Sequence, residues 1–162
     1  MKPNTVEKVL ATFEPNNKYG SIYFAKFDKT VELSLDDEIS DYYYKRCIET
    51  FFKWGETLFT ELANASFKFF LDYEDDCGGF DDLKINSPEE VWQHCTPIYI
   101  HFVACEKNPD STFIDIQLDC EWEPEHCMQW LVKNDNEVMY VGPYYGHART
   151  DKKVGISDSN YA

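Results

Sequence analysis

Apolar and polar positions keep two different periods along this chain, and the changes of period divide it into elements. Residues 6–13 (VEKVLATF) are weakly periodic and predict a first strand. The turn-rich EPNNKYG at 14–20 then leads into the apolar run SIYFAKF at 21–27. Asp28-Lys29 supplies a turn into TVELSLD, where Val31, Leu33 and Leu35 alternate with polar residues. A period of two marks a strand buried on one face, so the first forty residues predict a β-meander.

From Ser40 the period lengthens. Tyr44, Ile48, Phe51, Gly55, Leu58/Phe59, Leu62 and Ser66 recur at steps of three or four, which traces one stripe of a long amphipathic helix over 40–63. Asp36, Asp37, Glu38 and Asp41 stand at or before its start, where the positive end of the helix dipole favours carboxylates. Gly55 costs about 1 kcal/mol relative to Ala inside a helix and marks close packing or a bend. Asn64-Ala65-Ser66 is the expected interruption, with FKFFLDYED a further turn or two. Residues 72–86 read as an acidic, glycine-containing loop. Ser87-Pro88-Glu89-Glu90 then reads as a capped helix start, with Ser87 and Glu90 as a capping box and Pro97 ending the helix early.

Four apolar runs follow, at 97–105, 112–120, 126–134 and 137–142. In the second, Ile114, Ile116 and Leu118 alternate with Asp115, Gln117 and Asp119. Turn chemistry at EKNPDS and at Asp135-Asn136 joins them into a second antiparallel meander. The tail from Tyr144 is polar and reads as partly irregular. With no repeat and no linker, the sequence predicts one α+β domain over 1–162, its core at about 6–143. The N- and C-terminal meanders form an antiparallel sheet, and the long helix packs across it.

Charge narrows the partners. Thirty acidic against fifteen basic residues give a net charge of −15, which disfavours direct contact with nucleic acid or an anionic membrane surface. No apolar run reaches the ~18–20 residues needed to span a bilayer. The N-terminus lacks the features of a secretory signal, so the expected compartment is the cytoplasm. There, Cys47, Cys77, Cys95, Cys105, Cys120 and Cys127 are expected as reduced thiols that pack as small hydrophobes.

Candidate chemistry is sparse. Asp72-x-Glu74-x-Asp76 opens like a calcium loop, but Cys77 and Leu83 occupy the positions that demand Gly and a bidentate Glu. Zinc ligands at short spacing are missing, and Gly78-Gly79 sits among acids that would repel phosphate. No G-x-S-x-G elbow occurs, so neither a cofactor nor a catalytic residue is assigned. The richest segment is 119–127 (DCEWEPEHC), which places Glu121, Trp122, Glu123, Glu125 and His126 between two strands. It reads first as a structured turn, with Trp122 covering the sheet edge and His126 starting the next strand.

The order LDCEWEPEHCMQWLVKNDNEVMYVGPY is similar to an uncharacterised family of bacterial cytosolic proteins. In that family a Trp-x-x-Glu-His stretch joins the last strands and a V-x-x-V-G-P-Y-like hairpin closes the domain. VELSLDDE, the aromatic-rich helix and SPEEVWQHCTPIYIHF agree in order, so the similarity spans about residues 20–145. Family members carry Gly after the Glu-His pair, where Cys127 stands here. They resemble immunity proteins of polymorphic-toxin loci, which implies a role by association and assigns no chemistry. The expected function is therefore an acidic cytoplasmic protein that binds and neutralises a basic toxin domain, such as a nuclease. Its expected contacts are the acidic loop (Asp75, Asp76, Asp81, Asp82) and the turn Glu121–His126. The alternative from another class is a small hydrolase or metal-assisted enzyme using Glu123, Glu125 and His126. A third is a structural subunit whose aromatic residues cover an interface between copies.

Overall fold

The computed structural model describes residues 5–14, 17–37, 39–148, 150 and 159–162. Six strands form one open sheet in sequence order: β1 (Tyr19–Phe24), β2 (Lys29–Leu35), β3 (Cys95–Val103), β4 (Phe113–Cys120), β5 (Met128–Lys133) and β6 (Glu137–Pro143). All neighbours are antiparallel except β2 and β3, which are parallel. Parallel neighbours need a long crossover, and here it carries α2 (Asp41–Phe52) and α3 (Glu56–Cys77) onto one face of the sheet. The architecture is α+β, as the two meanders and the helical period imply.

That covered face holds the core. Val31, Leu33, Ile100, Phe102, Ile114, Ile116, Trp130 and Val141 are buried beneath Ile48, Phe51, Leu58, Leu62 and Phe70 of the helices. The Trp130 indole N–H donates to Ser66 Oγ at 3.0 Å, which fixes the rotation of α3 over β5. Alternation along each strand sends the intervening residues to the opposite face.

Several local expectations are corrected. Residues 6–13 are not a strand: Val6–Leu10 form a short helix, α1, capped by the Thr5 hydroxyl, which accepts from Lys8 N. Val6, Val9, Leu10 and Phe13 stand at helical spacing and all pack on the core, so the helical face won over a weak alternation. The single helix over 40–63 is two helices, broken at Lys53–Gly55 and not at Asn64–Ser66. Gly55 has extended backbone and caps α3, while Ala65 and Ser66 are buried on its inner face. Buried Trp54 fills the corner and donates its indole N–H to Asn134 O at 3.3 Å. Among the acids expected at the helix start, Glu38 lies outside the described residues; Ser40 is the cap, accepting from Tyr43 N.

The segment expected as a loop from 72 is helical to Cys77, and Gly78 (φ 77°) ends it in the left-handed conformation. Pro88–Gln93 is a 3-10 helix, and Ser87 makes no side-chain cap. Glu90 reaches back one residue further, accepting from Asn86 N at 2.8 Å and from its side-chain amide at 3.2 Å. Pro97 sits at an irregularity in the β3–β4 pairing, a position that loses no ladder donor. The fifth strand begins at Met128, not His126. In the tail, 149 and 151–158 lie outside the described residues. Asn160 and Tyr161 have no regular secondary structure, as expected, but are buried against β6.

Candidate functional site

Trp122 does not cover a sheet edge. It is 1% exposed, and its ring meets Phe69 and Phe70 of α3 edge-on at 6.2 and 5.7 Å. Phe80, just beyond α3, stacks on Phe70 at 6.1 Å and on Tyr73 at 6.4 Å. Tyr161 lies 5.3 Å from Phe69, and its hydroxyl donates to Asp72. This aromatic platform ties together the end of α3, the loop after it, the 121–126 turn and the C-terminal segment.

The acids flagged in sequence ride on that platform. Asp75 and Asp76 are exposed on the last turn of α3, and Asp81 and Asp82 are exposed directly after Phe80. On the turn, Glu121, Glu125 and His126 are exposed, while Glu123 is 5% exposed. The Glu123 carboxylate stands beside the Tyr73 hydroxyl and, with burial, pushes the Tyr73 phenol up to about 12. Glu125 is near enough to add to the shift, so the turn stands beside the acidic end of α3. Two segments about forty residues apart in sequence thus converge. We call this the acid end.

Within the turn, Glu123 Oε1 accepts from His126 N at 3.3 Å and faces His126 Nδ1 at 3.1 Å. The carboxylate is occupied in holding the turn closed. Cys127 follows with φ 68°, in the left-handed region, which is the backbone conformation a glycine would supply. Glu121 pairs with His94 Nδ1 at 2.8 Å. The expected contacts therefore divide. Asp75, Asp76, Asp81, Asp82, Glu121, Glu125 and His126 reach solvent; Trp122 and Glu123 are buried and build the mount. Among the described residues, no group of three or more His, Cys, Asp or Glu is arranged to hold a metal ion. All six cysteines are free thiols. No helix among the described residues is long and apolar enough to cross a membrane.

The opposite face of the sheet carries a second polar feature that the sequence reading missed. Register places Ser34, His101 and Asp115 side by side on β2, β3 and β4, with Tyr99 and Gln117 in the next row. Residues 144–148 fold back over these rows. Gln129 anchors them: its Oε1 accepts from Tyr145 N at 3.1 Å, and its Nε2 donates to His147 O at 3.1 Å and to Asp115 Oδ1 at 2.8 Å. Between sheet and strap lies a cleft of about 390 Å³, lined by Asp36, Tyr99, His101, Asp115, Gln117, Tyr144 and His147 with small apolar neighbours. Asp115 is 8% exposed, and burial raises its carboxyl from 3.8 to about 7 despite the Gln129 donor. Burial lowers the His101 imidazole and raises the Tyr99 and Tyr144 phenols, Asp115 adding to the Tyr144 shift.

His101 contacts both Ser34 and Asp36, but in the wrong sense for acyl transfer. Ser34 Oγ bonds to His101 Nδ1, Asp36 Oδ1 stands 3.7 Å from Nε2, and Ser34 is buried. The cleft's signal in sequence was Asp115 and His101, each an ionisable residue at the middle of an apolar run.

Fold and site together define an α+β protein with one open sheet, helices on one face, an acid end and a polar cleft on the other face. The chain belongs to DUF6985, a domain of unknown function, whose family model matches residues 6–148. Neither a curated protein nor a solved structure matches it.

Proposed function

We propose that this is an acidic binding protein that captures a basic protein domain, in the manner of an immunity protein neutralising a toxin. A nuclease domain is the class of partner its charge suits best. The acid end is the contact surface. The observation that supports this reading is the convergence of carboxylates from separate segments over one rigid aromatic platform. Lys84 is the one basic residue within 72–93, against eight acidic residues in that stretch. Clustered carboxylates steer a cationic partner into encounter, and a mount held by packed rings leaves little side-chain ordering to oppose binding. A nuclease surface made to attract phosphates is attracted to such a patch for the same reason.

The test is a pull-down with the tagged full chain from its native host at ~50 mM and then ~500 mM salt, which shortens the screening length. One stoichiometric basic partner, weakened by salt and lost in the variant Asp75→Lys/Asp76→Lys/Asp81→Lys/Asp82→Lys, is the expected result. Recovery of no basic partner, or a complex indifferent to the charge reversal, overturns the reading.

A further inference from the structure

The cleft on the helix-free face has a chemistry of its own. Its described lining offers two carboxyls (Asp36, Asp115), two phenols, two imidazoles and a carboxamide, and no Lys or Arg. An anion placed there would meet Asp36 and Asp115 with no Lys or Arg among the described lining residues to offset them. An apolar group would strip water from Asp115 and Gln117 without replacing their hydrogen bonds. A protonated nitrogen satisfies both: it donates to carboxylate and phenol oxygens, and tyrosine rings tolerate a cation beside them. The cleft's size falls within the range of small-ligand pockets.

From this we infer that the cleft is a binding site for an organic cation, a protonated amine or guanidinium group seated against Asp115 and Asp36. Asp115 is the anchor. Gln129 on β5 fixes one of its oxygens, so the group cannot turn away. His101 on β3, Tyr144 and His147 on the strap, and Asp36 beyond β2 are the other titratable groups facing it. The site is separate from the acid end, since it lies on the opposite face of the sheet and shares no residue with it.

A cation favours the ionised form of Asp115, so binding and deprotonation are linked. Affinity falls about tenfold between ~pH 8 and ~pH 6 as a carboxyl titrating near 7 takes up its proton. His101 stays neutral over most of that range because burial holds its imidazole down. The Asp115 part is isolated by mutation.

The experiment is a two-dimensional amide NMR titration of the full chain with n-butylammonium and with n-butylguanidinium, using butyrate as control. It is repeated on Arg149→Gln, which removes the arginine that follows Ala148 in sequence. An N-acetyl-arginine amide arm separates a free small cation from an arginine presented by a peptide backbone. Saturable shifts are expected at Tyr99, His101, Asp115, Gln117 and Tyr144, with affinity about tenfold weaker in Asp115→Asn and the pH dependence largely removed. Asp36→Asn weakens binding to a smaller degree. The dispersed spectrum of each variant reports that it is folded. Equal response to butyrate, shifts elsewhere, or unchanged affinity in folded Asp115→Asn each overturn the proposal. So does the absence of saturation in both backgrounds.

Discussion

Asp115 holds a carboxyl where the fold would be more stable without one. Below about pH 4 the folded and unfolded chains both keep this proton, and burial of the group is not penalised. Between about 4 and 7 the unfolded chain releases a proton that the folded one retains, so stability falls as pH rises, by roughly 1.4 kcal/mol per unit. Above 7 the cost levels off at about 4 kcal/mol. Asp115→Asn keeps the shape and an acceptor for Gln129. It is therefore expected to unfold at higher denaturant than the parent at ~pH 8 and to converge with it near pH 4. Urea midpoints of both chains across that range check this. A smaller strain sits at Cys127, whose φ of 68° costs a side chain about 1–2 kcal/mol. Its thiol reaches Asp119 Oδ1 at 3.3 Å in a half-exposed position, which offsets little of that. Cys127→Gly is expected to stabilise by about 0.5–1 kcal/mol after the added freedom of the unfolded chain is counted, and Cys127→Val to destabilise by more. Thermal unfolding of the pair decides it.

At the scale of elements, α3 ends against the usual preference. Its last turn carries Asp75 and Asp76 and no basic residue, so like charge meets the negative end of the helix dipole. Asp75→Asn and Asp76→Asn should each raise stability by about 0.3–1 kcal/mol while weakening capture of a basic partner. Opposite signs from one pair of substitutions, read by denaturation and by the pull-down, separate lost contact from lost folding. Most of the sheet was legible because β2 and β4 repeat every two residues, and the run boundaries of β3 to β6 fall at turn residues. The stripe from Tyr44 to Ser66 runs through Gly55 without losing phase, so the bend read at Gly55 could not be told from close packing; the extended backbone at Gly55 and the wedge of Trp54 mark the corner. The acids of the acid end were legible one by one. Their convergence was not, because Phe80, Tyr73 and Trp122 join only in space. The cleft was illegible for a related reason: its rows run across strands, through residues that a reading along the chain keeps apart.

At the scale of the molecule, the sheet has two open edges, and one polar side chain covers backbone groups at each. On β1, Thr12 Oγ1 accepts from Ser21 N at 2.8 Å while its own proton goes to Val9 O at 2.6 Å. On β6, Asn160 Oδ1 accepts from Val141 N at 3.1 Å, its Nδ2 donates to Met139 O at 2.9 Å, and Tyr161 N donates to Val141 O at 2.8 Å. Unpaired edge groups are templates for another chain, so these contacts limit self-association as well as adding stability. Gly142 makes the second clasp possible: a Cβ there would lie 2.1 Å from Ser159 O and 2.7 Å from the Tyr140 hydroxyl. Asn160→Ala removes the clasp's side-chain hydrogen bonds to β6, and Gly142→Ala pushes the segment away with Asn160 intact. Both are expected to cost about 1–3 kcal/mol and to abolish slow hydrogen exchange at Val141 N. Both should also sediment with a concentration-dependent larger species that the parent lacks. Because the two changes act on opposite sides of one contact, matching results assign the effect to the clasp. Unchanged protection at Val141 in both would mean that β6 is closed by its pairing with β5 alone.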